Sequence, residues 1–134
     1  MSCIFLIFVK MKKQLLILLF FSITYTMSAQ IGEVKIDGPW AKIYDENARY
    51  TGKSIAVSGG KSLEGYNSRF IVIKDGPWAK IYDDQGRYTG KSISLGGDKY
   101  IKNVSGAAIL VKDGPWIKYY DFDGRYTGKS TPDR

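Results

Sequence analysis

The sequence contains no histidine and a single cysteine, Cys3, among its 134 residues. Without histidine the chain has no common general base, no Cys–His nucleophile pair and no histidine ligand for zinc. One cysteine cannot form an internal disulfide. Helical periodicity is also missing beyond Gln30. These absences exclude many enzyme classes, so the sequence predicts a protein that is not an enzyme and that uses no cofactor or metal.

The composition is that of one small globular domain. Hydrophobic residues make up 44% of the chain, aromatic residues 14% and charged residues 25%. This is enough apolar side chain to form a core, and it excludes wholesale disorder.

The N-terminal segment has the layout of a secretory signal peptide. Lys12 and Lys13 form a basic start, residues 15–23 are an apolar run, and a small, polar stretch ends at Ala29. This pattern predicts that translation starts at Met11 and that residues 1–29 are removed. The mature protein is then secreted, periplasmic or displayed on the cell surface.

A signal anchor is the alternative, because residues 1–9 add a second apolar run. Lysines separate the two runs, and neither reaches the roughly 20 residues of a bilayer span, so no stable membrane span is expected after removal of the leader. Cleavage after Ala29 also removes three lysines and no acidic residue, which lowers the net charge from +7 to +4. Secretion and this modest charge argue against nucleic acid as a partner.

Three copies of one 18-residue segment dominate the rest of the chain. They begin at Asp37, Asp75 and Asp113, so successive copies start 38 residues apart, and thirteen of the eighteen positions are identical in all three. The chain is therefore predicted to be a repeat protein with a single domain over 30–134. The predicted repeats lie near 31–68, 69–106 and 107–134.

Each copy consists of short strands separated by turn signals. In the second copy, β-branched and aromatic residues predict strands at 70–74, 78–83, 87–95 and 99–104. Asp-Gly-Pro, Asp-Asp-Gln-Gly and Gly-Gly-Asp supply the turns between them. Four antiparallel strands per repeat form a β-meander. The predicted fold class is therefore all-β, with three tandem meander units.

The strand count leaves the arrangement of these units open. The third copy ends before a fourth strand, so eleven strands are expected in place of twelve. Three units suit a closed trefoil-like or prism-like body, which we favour because closure removes sheet edges. The alternatives are an open stack of meanders and an oligomer that completes a propeller.

The turn after the second strand of each copy predicts cross-strand partners. A three-residue loop after Asp45 fits a type I turn that ends in a left-handed residue. It pairs Tyr44 with Tyr50, and Lys42 with Gly52.

The third copy resembles two kinds of bacterial repeat. The run Val-Lys-Asp-Gly-Pro-Trp at 111–116, followed by Tyr-Asp-Phe-Asp-Gly-Arg at 120–125, resembles the WG-type repeat, and its second part is similar to the YD repeats of large surface proteins. The chain lacks the glycine after tryptophan and places Trp116 one residue further from Asp121. The resemblance implies an extracellular or envelope β-repeat protein that binds or scaffolds.

Two familiar motifs are present only in part. The run Gly-Arg-Tyr-Thr-Gly-Lys-Ser at 86–92 ends like a phosphate-binding loop, but it is one residue too short between its glycines and is followed by a strand. The acidic turns lack the alternating ligands and the distant glutamate of a calcium loop. Neither motif therefore predicts a nucleotide or metal site.

Alternation along the second strand of each copy gives two distinct faces. In the first copy, Trp40, Lys42 and Tyr44 project from one face, and Ala41 and Ile43 project from the other. Placing the aromatic rings inside is favoured, because a small β body needs large side chains to fill its core. If the Ala–Ile face is the core instead, three aromatic sets become surface platforms.

Two functions follow from these alternatives. The first is a secreted binding module that recognises an envelope polymer, a glycan or a protein. The second is a structural repeat protein that forms a homo-oligomer through exposed strand edges. The predicted binding residues are Trp40, Lys42, Tyr44, Trp78, Lys80, Tyr82, Trp116, Lys118 and Tyr120.

Overall fold

The computed structural model describes residues 30–134, and the predicted leader lies outside them. The described residues form eleven strands in three antiparallel sheets and contain no helix. This confirms the all-β prediction for the described part of the chain. Sheet 1 contains β1 (Ile31–Asp37), β2 (Trp40–Asp45) and β3 (Tyr50–Ala56). Sheet 2 contains β4 (Ser62–Tyr66), β5 (Phe70–Asp75), β6 (Trp78–Asp83) and β7 (Tyr88–Ser94). Sheet 3 contains β8 (Tyr100–Ser105), β9 (Ala108–Asp113), β10 (Trp116–Tyr120) and β11 (Tyr126–Pro132).

The linking strands β4 and β8 pair with the strand that follows them. β4 pairs with β5 and β8 pairs with β9, so each begins a new sheet. Leu63 and Tyr66 of β4 lie across from Ile73 and Ile71 of β5 and pack against the apolar cluster between sheets 1 and 2. The three-stranded sheet is consequently the first one, and the expectation of an incomplete third unit is wrong.

Neighbouring sheets pack face to face and share their cores. Residues of sheets 1 and 2 form one cluster, and residues of sheets 2 and 3 form another. Within the described chain no buried cluster joins sheet 1 to sheet 3, so the series is open and the favoured closed trefoil-like or prism-like body is not formed. The first cluster contains Ile31, Val34, Ala41, Ile43, Ile55, Ile71 and Ile73. The second contains Val72, Ala79, Ile81, Ile93, Leu95, Ile101, Ile109 and Val111.

Strand β5 is covered on both faces. Ile71 and Ile73 belong to the cluster with sheet 1, whereas Val72 between them belongs to the cluster with sheet 3. All three side chains are fully buried. A continuous apolar run is therefore required where a sheet lies between two others.

The Ala–Ile face of the second strand is the core face. Ala41 and Ile43 are buried in sheet 1, as are Ala79 and Ile81 in sheet 2. The tryptophans lie on the opposite face and are exposed, so the expectation that the aromatic rings fill the interior is wrong for Trp. Stacking of whole sheets supplies enough Ile and Val to fill the core without them.

Sheet 1 has a polar outer face. In sheet 2, Ile71 and Ile73 of β5 are the cross-strand partners of Tyr82 and Lys80 of β6, and both isoleucines contact sheet 1. The same register positions of β1 hold Glu33 and Lys35, which form an ion pair 3.7 Å long. No sheet of the described residues covers this face, so charged side chains replace the apolar ones, as in the terminal units of repeat proteins.

Sheet 3 ends the series with a charged residue in an apolar position. The backbone N–H groups of Val57, Leu95 and Asp133 donate to equivalent proline carbonyls, so these residues occupy the same place in each sheet. Val57 and Leu95 pack in the core. The Asp133 carboxylate instead accepts hydrogen bonds from Lys102 and Lys112. This network forms a polar cap at the end of the series.

The turn after the second strand contacts the preceding sheet. Ala48, Gly86 and Gly124 have positive φ values of 61°, 75° and 78°, which confirms the left-handed position. A Cβ on Gly86 would lie 3.2 Å from the Ser54 carbonyl oxygen, and a Cβ on Gly124 would lie 2.6 Å from the Ser92 carbonyl oxygen. No preceding sheet is described at Ala48. Close packing on the preceding sheet therefore adds to the φ requirement for glycine in the later copies.

The hairpin register departs from the prediction beyond the turn. Tyr44 pairs with Tyr50 as predicted, but Lys42 pairs with Ser54 and not with Gly52. The register shifts between these two pairs, so the predicted Lys42–Gly52 pair is wrong.

A bulge in the third strand causes this shift. Gly52 has a φ of 81°, a left-handed conformation that interrupts the ladder. The Thr51 hydroxyl donates to the Ile43 carbonyl and accepts from the Lys53 N–H. Thr-Gly-Lys is thus a local signal for the bulge that simple counting of residues from the turn does not detect.

We expect Ala48→Gly to raise the free energy of unfolding by about 1 kcal/mol, because glycine adopts positive φ without a steric penalty. Gly86→Ala should lower it by a similar amount. Gly124→Ala should lower it more, because its Cβ would lie 2.6 Å from the Ser92 carbonyl oxygen. Urea unfolding at equilibrium measures all three. An unchanged or lower midpoint for Ala48→Gly would contradict this account of the turn.

The Asp133 cap predicts a pH-dependent stability. Hydrogen bonds from Lys102 and Lys112 lower the pKa of the Asp133 carboxyl. The network therefore stabilises the fold above the ordinary aspartate pKa, and this contribution is lost as the pH falls through the lowered folded-state pKa. We expect Asp133→Asn to be less stable than wild type at pH 7, with the difference shrinking below about pH 4.

Urea melts at several pH values test this, with Asp98→Asn as the control. Asp98 lies in an exposed turn, and the substitution makes the same change in charge. A pH-independent difference for Asp133→Asn, or an equal effect at Asp98, would contradict the proposed role of the cap.

Candidate functional site

Three tryptophan side chains lie exposed at equivalent points of the three sheets. Trp40, Trp78 and Trp116 begin β2, β6 and β10, and 46%, 45% and 46% of their surfaces are exposed. Each follows an Asp-Gly-Pro turn whose glycine has a φ of 57°, 59° or 60°. Positive φ at glycine followed by the fixed negative φ of proline fits a type II′ hairpin turn. The turn thus fixes where each ring leaves the sheet.

A lysine, an aspartate and a tyrosine share the face of each tryptophan. In sheet 2, Asp75 is the cross-strand partner of Trp78. The Lys80 ammonium donates to the Asp75 carboxylate over 2.8 Å and lies 5.4 Å from the centre of the Tyr88 ring. The lysine is therefore held between an anion and an aromatic ring, beside an exposed indole.

The other two sheets have the same cluster. The Lys42 ammonium lies 2.6 Å from the Asp37 carboxylate and 5.4 Å from its tyrosine ring. The Lys118 ammonium lies 2.7 Å from the Asp113 carboxylate and 5.6 Å from its tyrosine ring. We name each set of Trp, Lys, Asp and two Tyr a platform.

The two tyrosines of a platform have different roles. Tyr82 is half-buried and packs against the cluster between sheets 1 and 2. Tyr88 is its cross-strand partner and is 44% exposed, with the ring centres 5.6 Å apart and the planes tilted by 46°. Tyr82 therefore supports the ring of Tyr88, which faces solvent. The equivalent pairs are Tyr44–Tyr50 and Tyr120–Tyr126.

The charged groups of the platform stabilise each other's charged forms. The hydrogen bond to Asp75 raises the pKa of Lys80, and the same bond lowers the pKa of Asp75. Burial raises the pKa of Tyr82. The Lys–Asp pair is therefore ionised and the tyrosine neutral at neutral pH. The platform therefore offers fixed charges beside ring faces.

The structure brings together residues that the sequence analysis named and some that it missed. Trp and Lys of each predicted set share one face of their strand and remain at least partly exposed, whereas the predicted tyrosines are the more buried members of their pairs. The exposed tyrosines and the lysine-bound aspartates were not predicted. The turn pairing was a sufficient signal for the tyrosines, because cross-strand partners project from the same face. The missed residues are Asp37, Tyr50, Asp75, Tyr88, Asp113 and Tyr126.

A cleft of about 450 Å³ lies at the junction of sheets 2 and 3. Its lining includes Phe70 and Phe122, whose rings stack with centres 4.9 Å apart, and Arg69. At the equivalent junction of sheets 1 and 2, 38 residues earlier, Gly32 and Asp84 stand in place of these two phenylalanines. The aromatic pair is therefore a feature of this junction, and the cleft is separate from the repeated platforms.

Two other kinds of site are absent from residues 30–134. Nowhere in this range do three or more His, Cys, Asp or Glu side chains gather where they could hold a metal ion. The same range contains no helix with the length and apolar character needed to cross a membrane.

Comparison with known proteins gives no family assignment. No family model matches the chain, and neither curated proteins nor solved structures gave a significant match.

Because the ring of Trp78 is exposed, Trp78→Ala should lower the free energy of unfolding by only about 1 kcal/mol or less. Ile81→Ala on the opposite, buried face should lower it by about 2 to 5 kcal/mol. Urea melts of the two variants make the comparison. A loss for Trp78→Ala as large as that for Ile81→Ala would mean that the indole belongs to the core.

Proposed function

We propose that the mature protein is a secreted, non-catalytic binding module that recognises an extended envelope polymer through its three platforms. One observation carries the proposal. All five platform residues are identical in the three copies, and they include exposed tryptophan and tyrosine rings. The buried positions vary instead, with Ala41 and Ala79 replaced by Ile117. Exposed aromatic rings at the same place in every copy favour a binding role over a purely structural one.

The chemistry of a platform suits recognition of a sugar or of a protein side chain. An exposed indole offers a flat apolar surface with one N–H donor, a combination common at binding anchors. The adjacent lysine has three N–H donors, and one carboxylate does not use all of them. A ligand can therefore stack on the ring and accept hydrogen bonds from the ammonium.

The order of the sheets arranges the platforms as a series. Sheets packed face to face lie about 10 Å apart, which is close to the length of two linked sugar residues. An extended polymer that reaches successive platforms binds each one at a high effective concentration, so weak single contacts combine. This favours a repeating polymer over its isolated unit as the ligand.

The proposed location depends on the leader and on the resemblance. A secretory leader at 1–29 and the likeness to WG-type and YD repeats both favour an extracellular or envelope setting. In that setting glycans and repeating polymers are abundant, and this supports them as ligands. A protein partner would use the same tryptophan anchors.

Self-assembly through strand edges is less favoured. The edge strands β3, β7 and β11 each contain a left-handed glycine and a register shift. Such bulges hinder pairing with another chain. Charged side chains also occupy the outer faces of sheets 1 and 3. These features support a binding module over a structural filament.

The proposal predicts that Trp78→Ala weakens polymer binding by about tenfold or more, because one of three linked contacts is lost. Tyr100→Ala is the matched control, since Tyr100 is 46% exposed but lies across from Lys112, on the opposite face from the platforms. Retention of the mature protein on insoluble peptidoglycan, chitin, cellulose and gel-fixed pectin measures binding at low salt. Each polymer is compared with its soluble monomer unit as a competitor.

Two outcomes would contradict the proposal. One is the absence of retention on every polymer. The other is an equal loss for Tyr100→Ala and Trp78→Ala. Concentration-dependent association without any ligand would instead support the structural alternative.

A further inference from the structure

A second lysine lies beside the platforms of sheets 2 and 3. Lys61 immediately precedes β4, and its ammonium lies 4.0 Å from the Asp75 carboxylate. Lys99, which stands 38 residues later and immediately precedes β8, lies 4.0 Å from the Asp113 carboxylate. The equal distances show that a lysine at the start of each linking strand places the same positive charge beside both platforms.

The second lysine changes the charge of the cluster. The Asp75 carboxylate already accepts a hydrogen bond from Lys80 at 2.8 Å. A separation of 4.0 Å from Lys61 allows an electrostatic attraction but is too long for a hydrogen bond. The N–H donors of Lys61 therefore remain available to a ligand, and the cluster has two positive charges and one negative charge. The three side chains are each about 30% exposed, at 32%, 29% and 30% for Lys61, Lys80 and Asp75.

The platform of sheet 1 has a different charge balance. Lys42 is paired with Asp37, and the nearby Lys35 is paired with Glu33. The residue 38 positions before Lys61 is Ile23, which lies outside the described residues. Positive charges therefore do not outnumber negative ones among these four residues of sheet 1.

We propose that Lys61 and Lys99 determine specificity for an anionic polysaccharide, whose sugar rings stack on Trp78 and Trp116. This inference rests on the proposed binding function and names the ligand class. A carboxylate or sulfate group of the polymer accepts hydrogen bonds from the second lysine while a ring face of the same sugar contacts the indole. A neutral polysaccharide still stacks on the indole and accepts hydrogen bonds from the platform lysine, but it lacks the charge attraction to the second lysine and binds less tightly. Lysine attracts both kinds of anion as a point charge, so both sources of charge require a test.

The test compares polymers that share a backbone and differ in charge. Polygalacturonate is compared with its fully methyl-esterified form, and dextran sulfate is compared with dextran, by affinity electrophoresis of the mature protein. We expect the wild-type protein to bind at least one anionic polymer about fivefold more tightly than its neutral partner, as weak exposed ion pairs allow. A preference in the first pair alone identifies carboxylate as the ligand group, and a preference in the second pair alone identifies sulfate.

The double variant Lys61→Gln with Lys99→Gln should lose this preference while keeping its affinity for the neutral polymer. Its control is Lys53→Gln with Lys91→Gln, which makes the same charge change on the exposed edge strands β3 and β7. The control should keep the preference. Urea melts of both double variants verify that each retains its fold.

The possible failures are distinguishable. If the wild-type protein binds a neutral polymer and its anionic form equally, the specificity inference is wrong and the binding function stands. If the control loses the preference as fully as the Lys61 and Lys99 variant, net charge alone explains it and the inference is overturned. If no polymer binds in this assay or in the retention assay above, both proposals fail.

Discussion

Burial of the Ala–Ile face of one sheet against the apolar face of the next sheet is the interaction on which the structure depends. A single sheet has no second layer of its own to cover its apolar face, so it must bury that face against another element. Sheet 2 packs against both of its neighbours. Ile71 and Ile73 belong to the cluster with sheet 1, and Val72 belongs to the cluster with sheet 3. Each sheet is therefore stabilised by its neighbours. The outer faces of the first and last described sheets have no such neighbour to cover them. Glu33 and Lys35 at one end, and the salt bridges of Asp133 at the other, replace the apolar contacts that a further sheet would make.

The same constraint explains how the three copies differ. At a position that faces a neighbouring sheet, the type of residue depends on whether that neighbouring sheet is present. Gly86 and Gly124 approach the preceding sheet too closely for a side chain, whereas Ala48 has no preceding sheet among the described residues. Ile117 replaces the alanine of the earlier copies on the outer face of sheet 3. A residue that differs between the copies thus depends on the position of its sheet in the series. A residue that is identical in all three meets a requirement common to the three sheets.

The sequence predicted the fold class and the strands well, because alternation and turn residues act locally. It predicted the Tyr44–Tyr50 pair, since that pair depends only on the adjacent turn. It failed for Lys42, because the bulge at Gly52 shifts the register beyond that pair. Two further questions were beyond local patterns. Alternation defines two faces of a strand but does not say which one meets another sheet, and the preference of β4 for sheet 2 over sheet 1 depends on packing between distant residues.

The members of a platform differ in how much they contribute to stability, and therefore in how cleanly a substitution would test the proposed binding function. Trp78 and Tyr88 are exposed, so their rings contribute little to the core and are available to a ligand. Tyr82 contacts both Tyr88 and the core cluster, so changing it would alter stability and ring position together. The Lys80 ammonium is held by the partly buried Asp75 carboxylate and lies over the exposed ring of Tyr88. Lys80 therefore contacts both partly buried and exposed members of the platform. Contacts that already hold an exposed ring in place reduce the side-chain entropy that would be lost on binding. In the proposed function, core packing would thus support recognition indirectly, because Tyr82 and the Lys80–Asp75 pair hold the exposed ring of Tyr88 in place.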